Sequence, residues 1–413
     1  MTTSTSSAAD GFRRFWTGQV VSSLGSSFSA FAIPLLVFAE TRSAVDLGVV
    51  TAATYLPYPL LGLLMGALAD RLDRERLMIA ADVVRAATIC IVALAASVGS
   101  VSIWLIASCA FVASTASLGF DAAATAAVAS IVDRDRLVWA NGRLQAGDAA
   151  AQVVGPLVAG VVVAVAPIEV VLVGDGLSFL VSAGSLLTIS ASFGGGAGSA
   201  SGASIFTEIG EGLRFTLGDP ILRELAALAA LFNLVGRTVA AQLVLFATVQ
   251  LAASKTQIAL LFSAASAGTI AFALTAPLLR RRLSFSNAVI GAVVAIGAMI
   301  FLLAHTRSLP FALGLVAGTA GLIGFFNVLT TTLRQTVAPP ELLARVTSVA
   351  RVLSWSAIPL GVLAGGWLID ATGDVALVYG IIGGAIVLLG ISFRFTALGR
   401  ADRHLPSVAA RGA

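Results

Sequence analysis

"GALADRLDRERL" (66–77) sets six charged residues among the seven from Asp70 to Arg76, with only Leu72 between them. Apolar runs flank it on both sides: "YPLLGLLMGALA" (58–69) before and "LMIAADVVRAATICIVALAA" (77–96) after. The chain of 413 residues is 58% hydrophobic and 11% charged, with a mean hydropathy of +0.98. A soluble domain carries about 25% charged residues, so the solvent of this chain is lipid. The charged knot then reads as the turn that joins two membrane-crossing helices.

Working outward from that turn, apolar runs of about 20 residues, the length that spans a bilayer as a helix, repeat along the whole chain. Twelve spans are expected, near 15–39, 46–69, 77–98, 101–130, 142–166, 168–190, 221–250, 257–279, 286–304, 309–333, 347–369 and 375–397. The N-terminal "MTTSTSSAADGFRRFW" is polar and then basic, so the first apolar helix is expected to be retained. Between Ser190 and Asp219 a Gly/Ser-rich linker leads into "FTEIGEGLRFTLGD", which reads as an amphipathic surface helix. Cys90 and Cys109 both fall inside apolar runs and read as small packing residues.

Charge assigns the sides. With a cytoplasmic N-terminus, 21 of the 25 Lys and Arg residues fall on the cytoplasmic side, and three (Arg42, Lys255 and Arg307) fall on the other. Arg237 remains inside a span. By the positive-inside rule both termini and the central linker are cytoplasmic, in a multi-pass protein of the cell (inner) membrane. The net charge of +4 reflects topology and contact with anionic lipid, not a nucleic-acid partner.

The halves of the chain resemble each other. "IVDRDRLVWANGRLQAGDAAAQVVGPLVAG" (131–160) lies over "TVAPPELLARVTSVARVLSWSAIPLGVLAG" (336–365), each copy crossing from the fourth into the fifth span of its half. The expected fold is therefore all-α, with twelve transmembrane helices in two pseudo-symmetric six-helix halves and a binding site between them. Its parts are 1–190, the linker 191–219, 220–397 and a tail 398–413.

With "FRRFWTGQVVSSLGSSFSAFAIPLLVF", "GALADRLDRERLMIAADVVRA" and "LRQTVAPPELLARVTSVARVLSWSAIPLGVLAGG", the chain resembles the major facilitator superfamily, and within it the enterobactin-exporter and macrolide-efflux branch. Gly66, Asp70, Arg71 and Arg74 stand at the glycine, acidic and basic positions of the superfamily's loop between spans two and three. The second-half equivalent, "APLLRRRL" (276–283), keeps the basic residues only. "GPLVAG" (155–160), with Gly155, Pro156 and Gly160, is similar to the span-five motif of proton-driven exporters, with Ala159 where a glycine is usual. Span four carries no arginine, which many exporters of the superfamily have there. The resemblance implies small-molecule export by alternating access, coupled to protons, by a monomer without a cofactor.

In the charged turn, arginine is what topology alone requires. Asp70 and Asp73 need another reason. They can pair with neighbouring arginines or the positive end of a helix, as part of a gate with Arg71 and Arg74 that holds in one state and opens in the other. The alternative is a solvated loop whose pairs contribute little. Gly62 to Gly66, Gly314 to Gly318, Gly361 to Gly365 and Gly380 to Gly384 have the spacing that lets helices approach closely. Gly155-Pro156 reads as a hinge or a proton seal, or as plain helix bending.

Ionisable groups within spans are functional candidates by their cost. Arg237 lies about 16 residues, or 24 Å, into its span, too deep to snorkel easily. Asp121 and Asp148 lie in the opposite half and are the candidate proton carriers. The fold implied by the resemblance puts Gln19, Asn233, Gln242 and Asn327 on cavity-lining spans. A permanent ion pair between Arg237 and an aspartate is the structural alternative. Asp82 and Arg85 share a helix face and can pair. Asp175 sits on span six, and with them it is assigned to packing or local pairing. No H-E-x-x-H, G-x-S-x-G or phosphate-binding G-x-x-x-x-G-K-[ST] occurs, which speaks against an enzyme or an ATP-driven pump. A secondary exporter of a small amphipathic molecule (a drug, siderophore or secreted metabolite) fits best. An uptake or facilitative transporter of the same fold, or a non-transporting receptor or scaffold, is the alternative.

Overall fold

A computed structural model describes residues 3–133, 136–189, 205–282, 284–339 and 342–403. The linker before residue 205, the tail from residue 404 and the side chains of Asp70 and of 276–283 lie outside what is described. The described chain forms helices α1 Thr3–Thr41, α2 Ala44–Tyr55, α3 Pro57–Arg71, α4 Arg74–Ser97, α5 Ile103–Ile131, α6 Leu137–Val165, α7 Ile168–Leu187 and α8 Ile205–Gly218. It continues with α9 Pro220–Ala241, α10 Leu243–Val249, α11 Lys255–Arg282, α12 Phe285–His305, α13 Leu309–Val337, α14 Leu343–Thr372 and α15 Val375–Phe393, and closes with a 3₁₀ turn, Leu398–Arg403. Among the described residues, twelve helices are long and apolar enough to cross a membrane.

Local chemistry sets their ends. Ser43, Asp73, Asp219 and Asp374 cap α2, α4, α9 and α15, each accepting from a backbone amide in the first turn. Gly373, at φ +66°, ends α14 in the left-handed conformation. Two expected spans are broken. The second divides at Leu56, where Pro57 and Pro59 withdraw two backbone donors and start α3. The seventh divides at Gln242, which leaves helical geometry at φ −100°, ψ 11° between α9 and α10. Leu94, Val165 and Leu388 are exposed on the outside, which lipid tolerates and water does not.

The helices group into two units, Met1–Ser199 with Ser254–Ser263, and Ala200–Ala253 with Ala264–Ala413. In the first unit α1 packs on α6 and α7, and α4 on α5 and α7. Phe12, Phe15, Met78, Phe120 and Leu186 fill one core. In the second, α9 packs on α14, and α12 on α13 and α15. Tyr379 is fully buried there, stacked on Phe246 at 4.6 Å, with its hydroxyl donating to Val239 O at 2.7 Å.

The repeat is visible in packing. α6 and α14 each hold one internal proline, Pro156 and Pro359, and each meets the first long helix of its own unit through a glycine. A Cβ on Gly155 would come 2.4 Å from Ser27 Cβ of α1, and a Cβ on Gly361 would come 1.8 Å from Leu234 O of α9. Only glycine admits approaches this close.

Candidate functional site

Three of the polar residues expected in the transport pathway converge in the first unit. Gln19 of α1, Asp121 of α5 and Asp148 of α6 line one pocket of about 280 Å³, with Asn141 and Gln145 beside them and Phe15 and Phe120 as apolar floor. Asp148 Oδ2 accepts from Gln152 Nε2, one turn on, at 2.7 Å. Gln19 Nε2 donates to Ser182 Oγ of α7 at 3.2 Å, which ties α1 to the span behind it. The pocket thus holds two carboxylates, Asp121 exposed and Asp148 half-buried, and no histidine is among its lining residues.

In the second unit Arg237 and Asn233 form one group. Arg237 Nε donates to Asn233 Oδ1 at 3.3 Å, and Asn233 Nδ2 donates to Ser354 O of α14 at 3.0 Å. On α9, then, the near neighbour of the guanidinium is a neutral amide. Gln242 is fully buried at the break between α9 and α10. Asn327 of α13 is exposed, and its carbonyl accepts from Thr330 Oγ1 at 3.1 Å, apart from that group.

The turn between α3 and α4 gives three of its described charges a place. Asp73 Oδ1 accepts from Arg76 N at 2.9 Å, so its task in this structure is to cap α4. Arg71 is exposed at the last turn of α3, where a cation is favoured, and Arg74 is half-buried at the start of α4. Gly66 has open space where a Cβ would stand, and so does Gly62. The close-approach expectation fails for that pair, because no atom of another helix lies within 4 Å of where either Cβ would stand. It fails also for Gly314 and Gly384, where nothing lies within 4 Å. A Cβ on Gly160 would stand 2.3 Å from the Ala259 Cβ, so the "GPLVAG" stretch is packed against α1 at Gly155 and against α11 at Gly160.

One constellation goes beyond the sequence reading. Arg85 and Asp82 of α4 are ion-paired as their spacing predicts, and both are buried. The guanidinium lies between the rings of Phe120 and Phe179, at 4.4 and 4.5 Å. Asp175 of α7, only 2% exposed, accepts from Ser29 Oγ of α1, and Ser178 Oγ approaches its Oδ1 at 3.4 Å. Arg85 and Asp175 share the wall of a cavity of about 370 Å³ inside the first unit. Spacing reveals the Asp82–Arg85 pair. Nothing local in the sequence says that Ser29, from 146 residues earlier, completes the shell of Asp175. Among the described residues no group of His, Cys, Asp and Glu could hold a metal.

Among the described residues, twelve membrane-length helices and no strand, with the repeated proline-glycine packing of α6 and α14, define the major facilitator fold. The solved structures agree. The nucleoside transporter NupG superposes with a TM-score of 0.77 at 14% identity, covering 94% of this chain and 99% of that one. An inward-facing bacterial homologue of the iron transporter ferroportin reaches 0.73 at 17% identity, with 93% and 98% covered. These show the fold alone.

The chain belongs to the transmembrane secretion effector family of that superfamily, whose profile matches residues 2–406. It is 29% identical over 365 residues to the multidrug efflux pump Tap of Mycolicibacterium fortuitum, covering 84% of this chain and 87% of the pump. It is also 27% identical over 171 residues to macrolide efflux protein A of Streptococcus pyogenes, covering 41% of this chain and 42% of that protein.

Proposed function

We propose that this protein exports a small amphipathic organic molecule across the cell membrane, by alternating access and in exchange for protons, with both termini in the cytoplasm. The observation that carries the reading is the convergence of Gln19, Asp121 and Asp148 on one pocket of the first unit. A carboxylate that exchanges protons must stay reachable by water, and Asp121 is exposed while Asp148 is half-buried. The relatives named as efflux pumps favour export over uptake, and the arginine distribution supports the orientation. In this reading Arg237 and Asn233 face the substrate path from the second unit. Asp70, Arg71 and Arg74 gate the cytoplasmic side, with Asp73 holding the helix start beneath them. Gly155-Pro156 and Gly160 serve as the hinge.

The test is transport in proteoliposomes under an imposed pH gradient. Wild-type protein concentrates substrate uphill. Asp121→Asn or Asp148→Asn is expected to reduce uphill export at least tenfold while exchange between equal pools continues. If both variants concentrate substrate at the wild-type rate, proton coupling through this pocket is wrong.

A further inference from the structure

Among the described residues the buried charges of the first unit do not balance. Asp82 and Arg85 neutralise each other in a direct pair. Asp175 faces the same cavity and is held by two serine hydroxyls, Ser29 and Ser178, which hydrogen-bond a carboxylate but carry no charge. With all three groups ionised the cluster carries one negative charge in a membrane interior, and an uncompensated buried charge is costly enough to demand a partner.

Arg85 adds a second demand. Its faces are covered by Phe120 and Phe179 and its Nη2 by Asp82, but its Nε is buried with no hydrogen-bond acceptor. A buried donor left unsatisfied costs about 1–3 kcal/mol in general, so a ligand that brings an acceptor gains by meeting it.

Size and walls narrow the choice. About 370 Å³ is far more than a proton or a bare metal ion needs, and it falls in the range of small-molecule pockets. Ile33, Val50 and Ile106 line the remainder with hydrocarbon. The rim reaches Ser26 and Ala30 of α1, both exposed, so the space has an entrance.

We infer that this cavity is a binding pocket for an amphipathic organic monocation, a protonated amine that also carries a hydrogen-bond acceptor, with Asp175 as its counter-ion and Arg85 as the donor to its acceptor. As a substrate site the pocket rests on the export reading above; as a binding site it does not. It lies wholly within one unit, and α1 serves both it and the proposed proton pocket. Ser29 and Gln19 are ten residues apart on that helix, about 15 Å along its axis.

The experiment uses the full chain in lipid nanodiscs and calorimetric titration at fixed pH, with empty nanodiscs subtracted. The probes are tetracaine, a protonated tertiary amine with an ester carbonyl, and ethyl 4-(butylamino)benzoate, which keeps the aromatic ester and lacks the amine. Tetracaine is expected to bind at least tenfold more tightly than the uncharged ester. Asp175→Asn should remove that preference and leave ester binding unchanged. Ala113→Phe, which fills the cavity from α5 and touches no charge, should weaken both probes at least tenfold and stands in if Asp175→Asn does not fold. Equal binding of amine and ester to the wild type overturns the inference, as does tetracaine binding that survives Ala113→Phe. The quaternary N-methyl form of tetracaine, which does not leak through bilayers, separates the two readings in proteoliposomes. Binding without transport upholds the pocket and sinks only the export reading. Transport at the wild-type rate by Asp175→Asn overturns the pocket as a substrate site.

Discussion

The two six-helix units share a plan but fill it with different chemistry. Among the described residues the buried charged side chains, Asp82, Arg85 and Asp175, all lie in the first unit. The corresponding core of the second unit is neutral: Asn233, Thr238, Gln242 and Tyr379 are buried there. Asn233, Thr238 and Tyr379 each donate to a backbone carbonyl. The stacked rings of Tyr379 and Phe246 fill space, where Asp175 of the equivalent last helix opens onto a cavity. A duplicated fold can thus bury charge in one copy and neutral hydrogen bonds in the other. Hydrogen bonds to carbonyls lock a bundle, whereas buried charge leaves it wanting a partner.

The sharpest way to break this contrast is Asp82→Ala, which strands the Arg85 guanidinium. Removing one partner of a buried pair costs about 3–5 kcal/mol, so the purified protein should unfold at markedly lower temperature or fail to accumulate. Asn233→Ala in the neutral unit loses the bond to the Ser354 carbonyl and the longer one from Arg237, together about 1–2 kcal/mol. The double change Asp82→Ala with Arg85→Met should recover much of the first loss. If Asp82→Ala and Asn233→Ala lower the melting temperature equally, the contrast in buried charge has no energetic meaning.

Next in size is the glycine comparison. Gly361→Ala places a Cβ against the Leu234 carbonyl, backbone against backbone, and overpacking of this kind costs about 1–3 kcal/mol. Gly66→Ala meets only open space and should shift stability by no more than about 0.5 kcal/mol. Melting curves of the two variants side by side decide it.

Smaller again is Arg237→Lys. The ammonium keeps the charge but lacks the planar fork that reaches Asn233, so transport should fall several-fold with the melting temperature unchanged. Transport at the wild-type rate would leave Arg237 a plain charge with no geometric role.

The smallest expected effect is at the end of the second unit, at Asp402. Burial works to raise its carboxyl pKa. Hydrogen bonds from the Ser284 and Ser286 side chains and from the Ser286 and Phe285 amides outweigh burial and hold it below the ordinary aspartate value. A group depressed in this way stabilises the fold above its unfolded pKa, and that contribution disappears as pH falls through the folded value. Asp402→Asn should therefore melt slightly below wild type at neutral pH, with the gap closing in acid. A gap that stays constant down to acid pH would show that the carboxylate charge is irrelevant there.

The sequence made the spans legible because lipid punishes every polar residue, so each polar break is a real boundary. The break at Pro57 could be read from proline chemistry. The one at Gln242 could not, since neither proline nor glycine marks it and its amide is buried by tertiary packing. At the site, Gln19, Asp121 and Asp148 were each visible as polar groups within spans, but their meeting in one pocket depends on the packing of three helices. Asp82 and Arg85 were paired by spacing alone. Asp175 was visible as an intramembrane charge, but a cavity is a property of five helices at once and leaves no local mark. Asp73 shows the reverse: its place in a charged loop invited a gating role, and capping geometry supplies a simpler one.

The clamp around Asp402 bears on how the chain is made. Its carboxylate closes the first turn of α12, taking the Phe285 and Ser286 amides at 2.7 and 3.1 Å from 117 and 116 residues further along the chain. Leu398, beside it, donates to Glu224 Oε2 at 2.7 Å and accepts from Ser286 Oγ at 2.9 Å. During synthesis α9 and α12 are therefore made before the residues that bond to Glu224, Phe285 and Ser286 exist. They are joined only when the last described residues leave the ribosome. A chain ending between residues 394 and 401 would keep every membrane-crossing helix described for the second unit and lack this latch.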